Sequence, residues 1–339
     1  SGGASCPSLL LEPQRTNSVT QSEYFGGWLT FNSSIVNNNA QSPEGLQNAA
    51  KLVEDSSNAF HDTDIVFSFP AATNTFSVFA KAGERSVIFL QQFDGSTFHS
   101  SNNFNLSAGT YAGGSEGKIE DYGNGWYRCS FTATTIAGGG KLYINLHNGT
   151  SGSYQGDGTS GVYIYGAQME TSASYPTSYI PTYGSAVTRS VEQAIKTIGT
   201  SYFPSTGFSV YLEADVIGST NVNFSDVYQI SGGTTQFRLE TRTNGLIYIQ
   251  QGNMVTSGDN FNAWGLCPTT AKKLCFTFSS TQVKAYVDGV LEATFNGVYT
   301  FSPIDTINFA MQGSSVACKQ TLLFGSVLTQ SEAIALTTI

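Results

Sequence analysis

The sequence contains few charged residues. Of its 339 residues only 12% are Asp, Glu, Lys or Arg, about half the share in an ordinary soluble domain. Its 15 basic and 24 acidic residues give a net charge of -9, which argues against binding to a nucleic acid backbone. No run of about 18 apolar residues occurs, so we expect no membrane-spanning helix. These features indicate an acidic globular protein rich in uncharged polar residues.

Histidine and cysteine are also scarce. The histidines His61, His99 and His147 lie far apart, and no Cys-x-x-Cys or Cys/His spacing suggests a zinc site. The five cysteines are an odd number, so at least one is free or pairs with another chain. We expect small buried apolar residues, with a Cys267–Cys275 disulfide as the main alternative. Because the first residue is Ser, we expect a processed product or a piece of a longer chain.

Apolar and polar residues alternate at a period of two through much of the chain. In the windows 76–81 and 208–213, every second residue is Phe, Val, Ala or Leu. Such alternation is typical of half-buried strands, and turn pairs such as Asn124-Gly125 separate the windows. Many short strands at this spacing predict an all-β protein built from antiparallel β-sandwiches.

Two segments have helical rather than strand signals. Residues 42–51 begin with Ser-Pro, a helix N-cap followed by proline at the first helical position. Residues 329–336 have Thr329 and Ser331 as alternative N-caps and Glu332 in the first turn. We predict a short helix in each segment.

A domain boundary is predicted near residue 190. The stretch 172–185 holds Pro176 and Pro181 among Ser, Thr, Tyr and Gly, a composition that favours neither strand nor helix. We therefore predict two tandem sandwiches, residues 1–190 and 191–339. This Tyr/Pro connector ends the first of them.

The first domain carries a series of short motifs in a distinctive order. They are LEPQRTN from residue 11, SPEG from residue 42, FAKAGE from residue 79, DYGNGWYR from residue 121, GAQME from residue 166 and YPTSYIPT from residue 175. In this combination the domain resembles tail-fibre and other virion structural proteins of tailed bacteriophages. Its layout is also similar to the jelly rolls of carbohydrate-binding modules. The resemblance implies a jelly roll with a role on a phage particle.

The second domain resembles the concanavalin-A-like and laminin-G sandwiches. The resemblance is carried by FSVYLEA from residue 208, VKAYVDGV from residue 283 and LFGSVL from residue 323, just before the predicted terminal helix. Folds of this class include glycosidases, which need two carboxylates across a sugar-binding cleft. The nearest match, Glu213-Ala214-Asp215, has no second Glu after it. We predict that the chain is not an enzyme and has no catalytic residues.

Sugar-binding modules stack sugar rings on exposed aromatic side chains and hold the hydroxyls with polar groups. The loops 93–104 and 147–160 and the segment around Trp264 offer this combination. For the aromatic members, packing in the core is the alternative interpretation. The candidate ligand-binding residues are Phe98, His99, Asn102, Tyr154, Gln155 and Trp264.

Cofactor and structural roles fall on few residues. Asp94 and Asp157, beside turn glycines, are candidate calcium ligands, with an ordinary turn as the alternative; no other cofactor is expected.

Trp126 is expected in the core. Three arginines within the motifs are expected to brace the domain through ion pairs with carboxylates such as Glu12, Glu120 or Glu170. These arginines are Arg15, Arg128 and Arg189.

Taken with the resemblance, these features predict a non-catalytic protein on the surface of a phage virion, in a tail fibre, spike or capsid fibre, that attaches to a host cell-surface glycan. Its further partners would be other virion proteins and copies of itself, such as the trimers common in phage fibres. We expect no nucleic acid partner and no membrane insertion. The first alternative is a purely structural capsid decoration or fibre-joining protein. The least favoured alternative is a polysaccharide depolymerase.

Overall fold

The protein consists of antiparallel β-sheets in two compact units. One unit comprises residues 15–189, and the other comprises the described residues before and after that range. We call them the N-terminal and C-terminal sandwiches. The computed structural model describes residues 9–192, 194–198, 206–219, 225–232, 235–241, 246–252, 262–268, 273–301, 304–309 and 314–338. The predicted all-β class is confirmed.

The strands are short and follow one another closely along the chain. Up to residue 93 they are β1 (Leu9–Leu11), β2 (Arg15–Asn17), β3 (Leu29–Phe31), β4 (Ser33–Ala40), β5 (Ala49–Glu54), β6 (Asn58–Phe60), β7 (Asp62–Phe69), β8 (Ala72–Ala82) and β9 (Val87–Phe93). From there to residue 189 they are β10 (Phe98–Ser100), β11 (Phe104–Asn105), β12 (Thr110–Tyr111), β13 (Gly117–Asp121), β14 (Trp126–Thr135), β15 (Gly138–His147), β16 (Ser153–Gln155), β17 (Gly161–Glu170) and β18 (Val187–Arg189).

The remaining strands belong to the C-terminal sandwich. They are β19 (Ala194–Thr197), β20 (Gly207–Ser219), β21 (Ser225–Gly232), β22 (Thr235–Thr241), β23 (Leu246–Gly252), β24 (Asn262–Pro268), β25 (Lys273–Ser279), β26 (Gln282–Val287), β27 (Val290–Asn296), β28 (Thr306–Phe309) and β29 (Ser314–Phe324). They form one sheet in the order β1-β29-β20-β25-β26-β27 and another in the order β19-β28-β21-β22-β23-β24.

The N-terminal segment joins a different unit from the one predicted. The sequence analysis places residues 1–190 together, but β1 pairs antiparallel with β29. Leu11 is buried in the apolar core of the C-terminal sandwich. Pairing with β29 gives the backbone of Leu9–Leu11 hydrogen-bond partners and buries the Leu11 side chain. The chain therefore leaves the C-terminal sandwich at its start and returns to it after residue 189.

Two sheets enclose the core of the N-terminal sandwich. The front sheet has the order β12-β11-β9-β15-β7-β3, with β10 added beside β9, and the back sheet has the order β13-β14-β8-β17-β5-β4. Apolar residues at alternate positions of these strands face each other across the core, as the period-two pattern requires. Among them are Phe76, Val78, Ala80, Ile88, Leu90, Leu142, Ile144 and Leu146.

One predicted helix is present and the other is wrong. The terminal helix, α1 (Gln330–Thr337), starts with a capping box in which Thr329 and Glu332 bond each other's backbone N–H groups. Residues 42–51 instead form a turn at Gly45, with φ at +86°, followed by β5. Burial of alternate β5 side chains such as Leu52 outweighs the local capping signal. In the described part of the chain, no helix is long and apolar enough to cross a membrane.

Three cysteines are free thiols inside the cores. They are Cys129, Cys275 and Cys318. Burial raises the pKa of the Cys275 thiol to about 12, so it stays protonated and packs as a small apolar group. The Cys267–Cys275 disulfide considered from the sequence is therefore wrong.

Candidate functional site

The outer face of the front sheet, turned away from the core, carries the candidate site. Along β15, Leu142 and Ile144 point into the core, and Tyr143 and Asn145 therefore point outward. Aromatic and polar side chains from neighbouring strands surround them in a pocket of about 440 Å³. We call it the front pocket; it is lined by Phe31, Phe60, Asp62, Gln91, Phe98, Tyr143 and Asn145.

Strand register brings these residues together. Asp62 on β7 stands opposite Phe31 on β3 and opposite Asn145 on β15. Gln91 on β9 stands opposite Tyr143 on β15. Directly opposed residues in antiparallel strands have Cβ atoms about 5 Å apart. The pocket therefore has a carboxylate between an aromatic ring and an amide.

Three of the aromatic side chains are largely open to solvent. Phe31 is 57% exposed, Phe60 48% and Phe98 55%. Phe98 lies after the tight turn that links β9 to β10, and its ring stacks on Phe93 with centroids 4.4 Å apart. It also lies 5.9 Å from the Tyr143 ring. Exposed aromatic rings gathered around polar groups are a site for a ligand with apolar faces and hydroxyl edges.

The position of Phe60 depends on a glycine. The Phe60 carbonyl accepts a hydrogen bond from Asn32 Nδ2 at 3.1 Å, and the ring lies beside Gly152. A Cβ atom at Gly152 would be 3.1 Å from Phe60 Cε1 and 2.9 Å from Phe89 Cε1. Both distances are shorter than ordinary van der Waals contact. Glycine at this position leaves room for the ring.

Asp62 has an unusual environment for a carboxylate. It is only 5% exposed, and its Oδ1 atom has no hydrogen-bond partner among the described residues. Burial raises the pKa of Asp62 to about 6, and the charge of Asp64 adds to the rise, while Lys141 and His61 oppose it. Above that pH a buried anion stands at the pocket without an internal partner, which is costly unless a ligand supplies one.

The neighbouring carboxylate is already paired. Lys141 Nζ lies 3.0 Å from Asp64 Oδ1 and 3.2 Å from Asp64 Oδ2. Asp64 lies two residues after Asp62 on the same face of β7. Lys141 therefore forms its ion pair with Asp64, and Asp62 is the carboxylate of the pocket without a salt bridge among the described residues.

The amide side chains form a hydrogen-bonded chain. Asn145 Nδ2 donates to Gln91 Oε1 at 3.2 Å, and Gln91 Nε2 donates to Ser100 Oγ at 2.7 Å. These bonds fix the rotamers of two pocket residues before any ligand arrives. A site with fixed polar groups loses less conformational entropy on binding.

Of the residues predicted to bind a ligand, only Phe98 lines the front pocket. His99 follows it in β10, but its Nε2 donates a hydrogen bond to Asp94 Oδ2 at 2.9 Å. Asn102 is exposed, and its backbone N–H donates to the Tyr111 hydroxyl at 3.1 Å. The structure therefore separates His99 and Asn102 from the pocket-lining residues.

Tyr154 belongs to the core, contrary to the binding role predicted from the sequence. It is 5% exposed, its ring lies 4.8 Å from that of His61, and its hydroxyl donates to buried Glu54 at 2.6 Å. Arg85 Nε donates to the same carboxylate at 2.8 Å. Burial alone would raise the pKa of Glu54, but the hydrogen bonds from Arg85 and Tyr154 outweigh it and lower that pKa. Tyr154 is a buried structural residue.

Two further predicted ligand-binding residues are not among the residues that line the front pocket. Gln155 on β16 is exposed, and its amide donates to the Ser56 carbonyl at 2.5 Å. Trp264 lies on β24 in the C-terminal sandwich. The Trp264 side chain is outside the described residues.

The two candidate calcium ligands accept hydrogen bonds within their own loops. Asp94 Oδ1 accepts from the Thr97 N–H at 2.8 Å, and hydrogen bonding, chiefly from His99, lowers its pKa. Asp157 Oδ1 accepts from the Ser160 N–H at 2.7 Å, and the pKa of Asp157 is lowered chiefly by Ser160. Within the described residues, no group of three or more His, Cys, Asp or Glu side chains could hold a metal ion. Calcium binding stays a prediction.

Trp126 and Arg15 lie in the packed parts of the N-terminal sandwich. Trp126 is buried, and its Nε1 donates to the Gln41 carbonyl at 3.1 Å. Arg15 Nε lies 3.8 Å from Oε1 of Glu170, one of the carboxylates proposed as its partner. The connector tyrosine Tyr175 lies beneath the Arg15 guanidinium, at 5.6 Å.

Arg128 has different partners from those predicted. Its Nη1 donates to the Thr177 carbonyl at 2.6 Å and its Nη2 to Ser77 Oγ at 3.1 Å, so neutral oxygens and not a carboxylate receive these bonds. Its guanidinium also lies 5.5 Å from the Phe79 ring centroid. Arg189 Nη1 donates to a connector carbonyl, that of Ser178, at 3.3 Å.

Six of the seven pocket residues were not found from the sequence. Their signal was the same alternation that revealed the strands, since outward positions of β7, β9 and β15 carry Asp62, Gln91, Tyr143 and Asn145. Outward polar residues are common on any sheet. Only the pairing of distant strands shows that these particular side chains meet.

Comparison with known proteins finds matches among solved structures alone. No family model and no curated protein matches the chain. Among solved structures, CBM40 of the Ruminococcus gnavus IT-sialidase, bound to alpha2,3-sialyllactose, is 15% identical, with a TM-score of 0.34 over 44% of this chain and 98% of that one. A botulinum neurotoxin type C chain, studied for its interaction with two ganglioside molecules, is 11% identical, with a TM-score of 0.35 over 43% of this chain.

The binding domain of botulinum neurotoxin DC in complex with SialylT is 12% identical, with a TM-score of 0.36 over 43% of this chain. The matches span 39% of the type C chain and 38% of the DC chain, so each toxin chain is longer than its matched part. At this similarity the function has to be argued from the site itself.

Proposed function

We propose that the chain is a non-catalytic glycan-binding protein and that the front pocket is its binding site. The observation that carries the proposal is the buried carboxylate of Asp62, without a hydrogen-bond partner at Oδ1, among the exposed rings of Phe31, Phe60 and Phe98. Sugar rings offer C–H faces that pack on aromatic rings and hydroxyls that donate to a carboxylate. A single ligand class thus satisfies both unusual features of the pocket.

The pocket has the composition of a binding site. Its ionisable side chains are Asp62 and Tyr143, and the other lining residues are Phe, Gln and Asn. Hydrolysis of a glycosidic bond would need two carboxyl groups flanking the bond, and the second carboxylate nearby, Asp64, is paired with Lys141. Binding without bond cleavage is the activity that these groups support.

A glycan array tests the proposal. The full chain is compared with a Phe31→Ala/Phe98→Ala variant and with Tyr183→Ala, a matched control because Tyr183 is 75% exposed but does not line the pocket. We expect the wild type and the control to retain the same glycans, and the pocket variant to lose at least about tenfold in affinity, equivalent to about 1.4 kcal/mol. Equal retention by all three proteins would contradict the proposed site.

We further propose, on the sequence resemblance, that the chain is displayed on a phage particle, in a tail fibre, spike or capsid fibre, where it attaches to a host glycan. Other virion proteins and copies of the same chain would be its partners there. Labelling intact particles with an antibody to the chain and imaging them by electron microscopy tests this role. Label on the tail or capsid surface supports it, and particles without label contradict it.

A further inference from the structure

The front pocket has an unbalanced charge. Asp62 is its one carboxylate, and none of the seven lining residues is Lys or Arg. The cation closest in the register is Lys141, which lies on the same face of β15 as Asn145 but is bound to Asp64. Among the lining residues, the Asp62 carboxylate therefore has no cationic neighbour, and the charges of Lys141 and His61 act on it from outside that set.

The Asp62 carboxylate is the one polar group of the pocket lining that can only accept hydrogen bonds when ionised. An ionised carboxylate accepts hydrogen bonds and donates none, so Asp62 requires a donor from the ligand. Asn145 donates one of its two amide hydrogens to Gln91, and Gln91 donates one of its own to Ser100. A ligand that fits this set must itself be rich in donors, as sugar hydroxyls are.

A carboxylate on the ligand would be disfavoured in the front pocket. It would enter a partly desolvated site whose fixed charge has the same sign, and like charges in a low-dielectric environment repel more strongly than in water. It would also bring acceptors where Asp62 needs donors. Both effects act against sialic acids and uronic acids and leave uncharged sugars unaffected.

We infer that the front pocket selects sugars without a carboxylate and that Asp62 is the residue that determines this specificity. A hydroxyl of an uncharged sugar donates to the Asp62 carboxylate while the ring packs on the pocket phenylalanines. Sialic acids and uronic acids are rejected. This inference rests on the proposed function, since it concerns the ligand class of the same site.

The test compares one glycan in two chemical forms. Uronate oligosaccharides are used as isolated and after carbodiimide-mediated reduction, which converts each carboxylate to a primary alcohol and leaves the linkages intact. 3′-Sialyllactose and its carboxylate-reduced form are a second pair. Affinities for the full chain are measured by calorimetry at pH 7.5, above the pKa of about 6 at Asp62. We expect at least about tenfold tighter binding of the uncharged member of each pair that binds.

Two variants show whether Asp62 is responsible. Asp62→Asn removes the charge at nearly constant shape, so we expect the preference for the uncharged member to fall to within about threefold. Glu120→Gln is the matched control, because Glu120 lies on β13 of the back sheet and pairs with Lys118 there. The control should keep the wild-type preference.

The outcomes separate this inference from the proposed function. If the wild type binds both members of a pair equally and Phe31→Ala/Phe98→Ala abolishes that binding, the site is a glycan site and the inference about its specificity is wrong. If Asp62→Asn keeps the full preference, Asp62 is not its source and the inference is again wrong. If the wild type binds no glycan in either form, the proposed function and the inference are both wrong.

Discussion

Asp62 and Asn145 stand directly opposite each other on β7 and β15, and both side chains face the outer surface of the front sheet. Asp62 is nearly fully buried and lacks a hydrogen-bond partner at Oδ1, whereas Asn145 is tied to Gln91. Most buried polar groups in proteins have partners. The buried Asp62 carboxylate therefore lowers the stability of the N-terminal sandwich, and binding of a ligand is the simplest explanation for a carboxylate at this position.

The first prediction concerns the stability cost of Asp62. Its pKa is raised from 3.8 to about 6, so the folded state binds the proton more tightly than the unfolded state does. The resulting stability is present below about pH 4 and is lost as the pH rises through about 6. At pH 7.5, Asp62→Asn should therefore increase the free energy of unfolding by about 1–3 kcal/mol. At pH 4 the two proteins should be equally stable.

Urea denaturation followed by tryptophan fluorescence measures this difference, since Trp28 and Trp126 are buried in the same sandwich as Asp62. Asp64, Lys141 and His61, whose charges act on Asp62, are present in both proteins. Lower stability of Asp62→Asn at pH 7.5 would show that the carboxylate has a stabilising partner after all.

A second prediction tests the placement of Phe60. A methyl group in Gly152→Ala would press on the Phe60 and Phe89 rings, and the affinity for glycan should fall by about three- to tenfold, equivalent to about 1 kcal/mol. Gly139→Ala is the control, because Gly139 lies on β15 with no atom within 4 Å of the position its Cβ would take. Calorimetry with a glycan bound by the wild type measures both. Unchanged affinity in Gly152→Ala would argue that Phe60 does not touch the ligand.

A third prediction separates the buried Tyr154 from the binding site. Tyr154→Phe removes the hydroxyl that donates to Glu54 and leaves Arg85 as a partner of the carboxylate. The free energy of unfolding should fall by about 1–2 kcal/mol, while glycan affinity stays at the wild-type value. Loss of binding with unchanged stability would restore Tyr154 as a ligand-binding residue.

Much of the fold follows from local pattern. Alternation in the windows 76–81 and 208–213 corresponds to β8 and β20, because successive side chains of a strand point to opposite faces of the sheet. The terminal helix follows from the reciprocal bonding of Thr329 and Glu332. The Ser-Pro signal at residues 42–51 failed because a buried strand begins at Ala49 and tertiary packing decides such cases.

The site is less accessible to sequence reasoning. Phe98 was found because the loop 93–104 combines an aromatic side chain with polar ones. Asp62 and Asn145 were missed because the alternation of apolar and polar residues along β7 and β15 does not indicate that these two strands pair with each other. Tyr154 was misplaced for the converse reason, since its partners Glu54 and Arg85 come from other strands and loops. Contacts between strands that are distant in the sequence thus determine which residues line the front pocket, and they also explain which predictions were wrong.

The most direct test of the central claim is a crystal structure of the full chain with an uncharged oligosaccharide that the array identifies. We expect sugar density in the front pocket, with a ring packed on Phe31, Phe60 or Phe98 and a hydroxyl within hydrogen-bonding distance of Asp62. Sugar density at another surface, with none in the front pocket, would show that the front pocket is not the glycan-binding site.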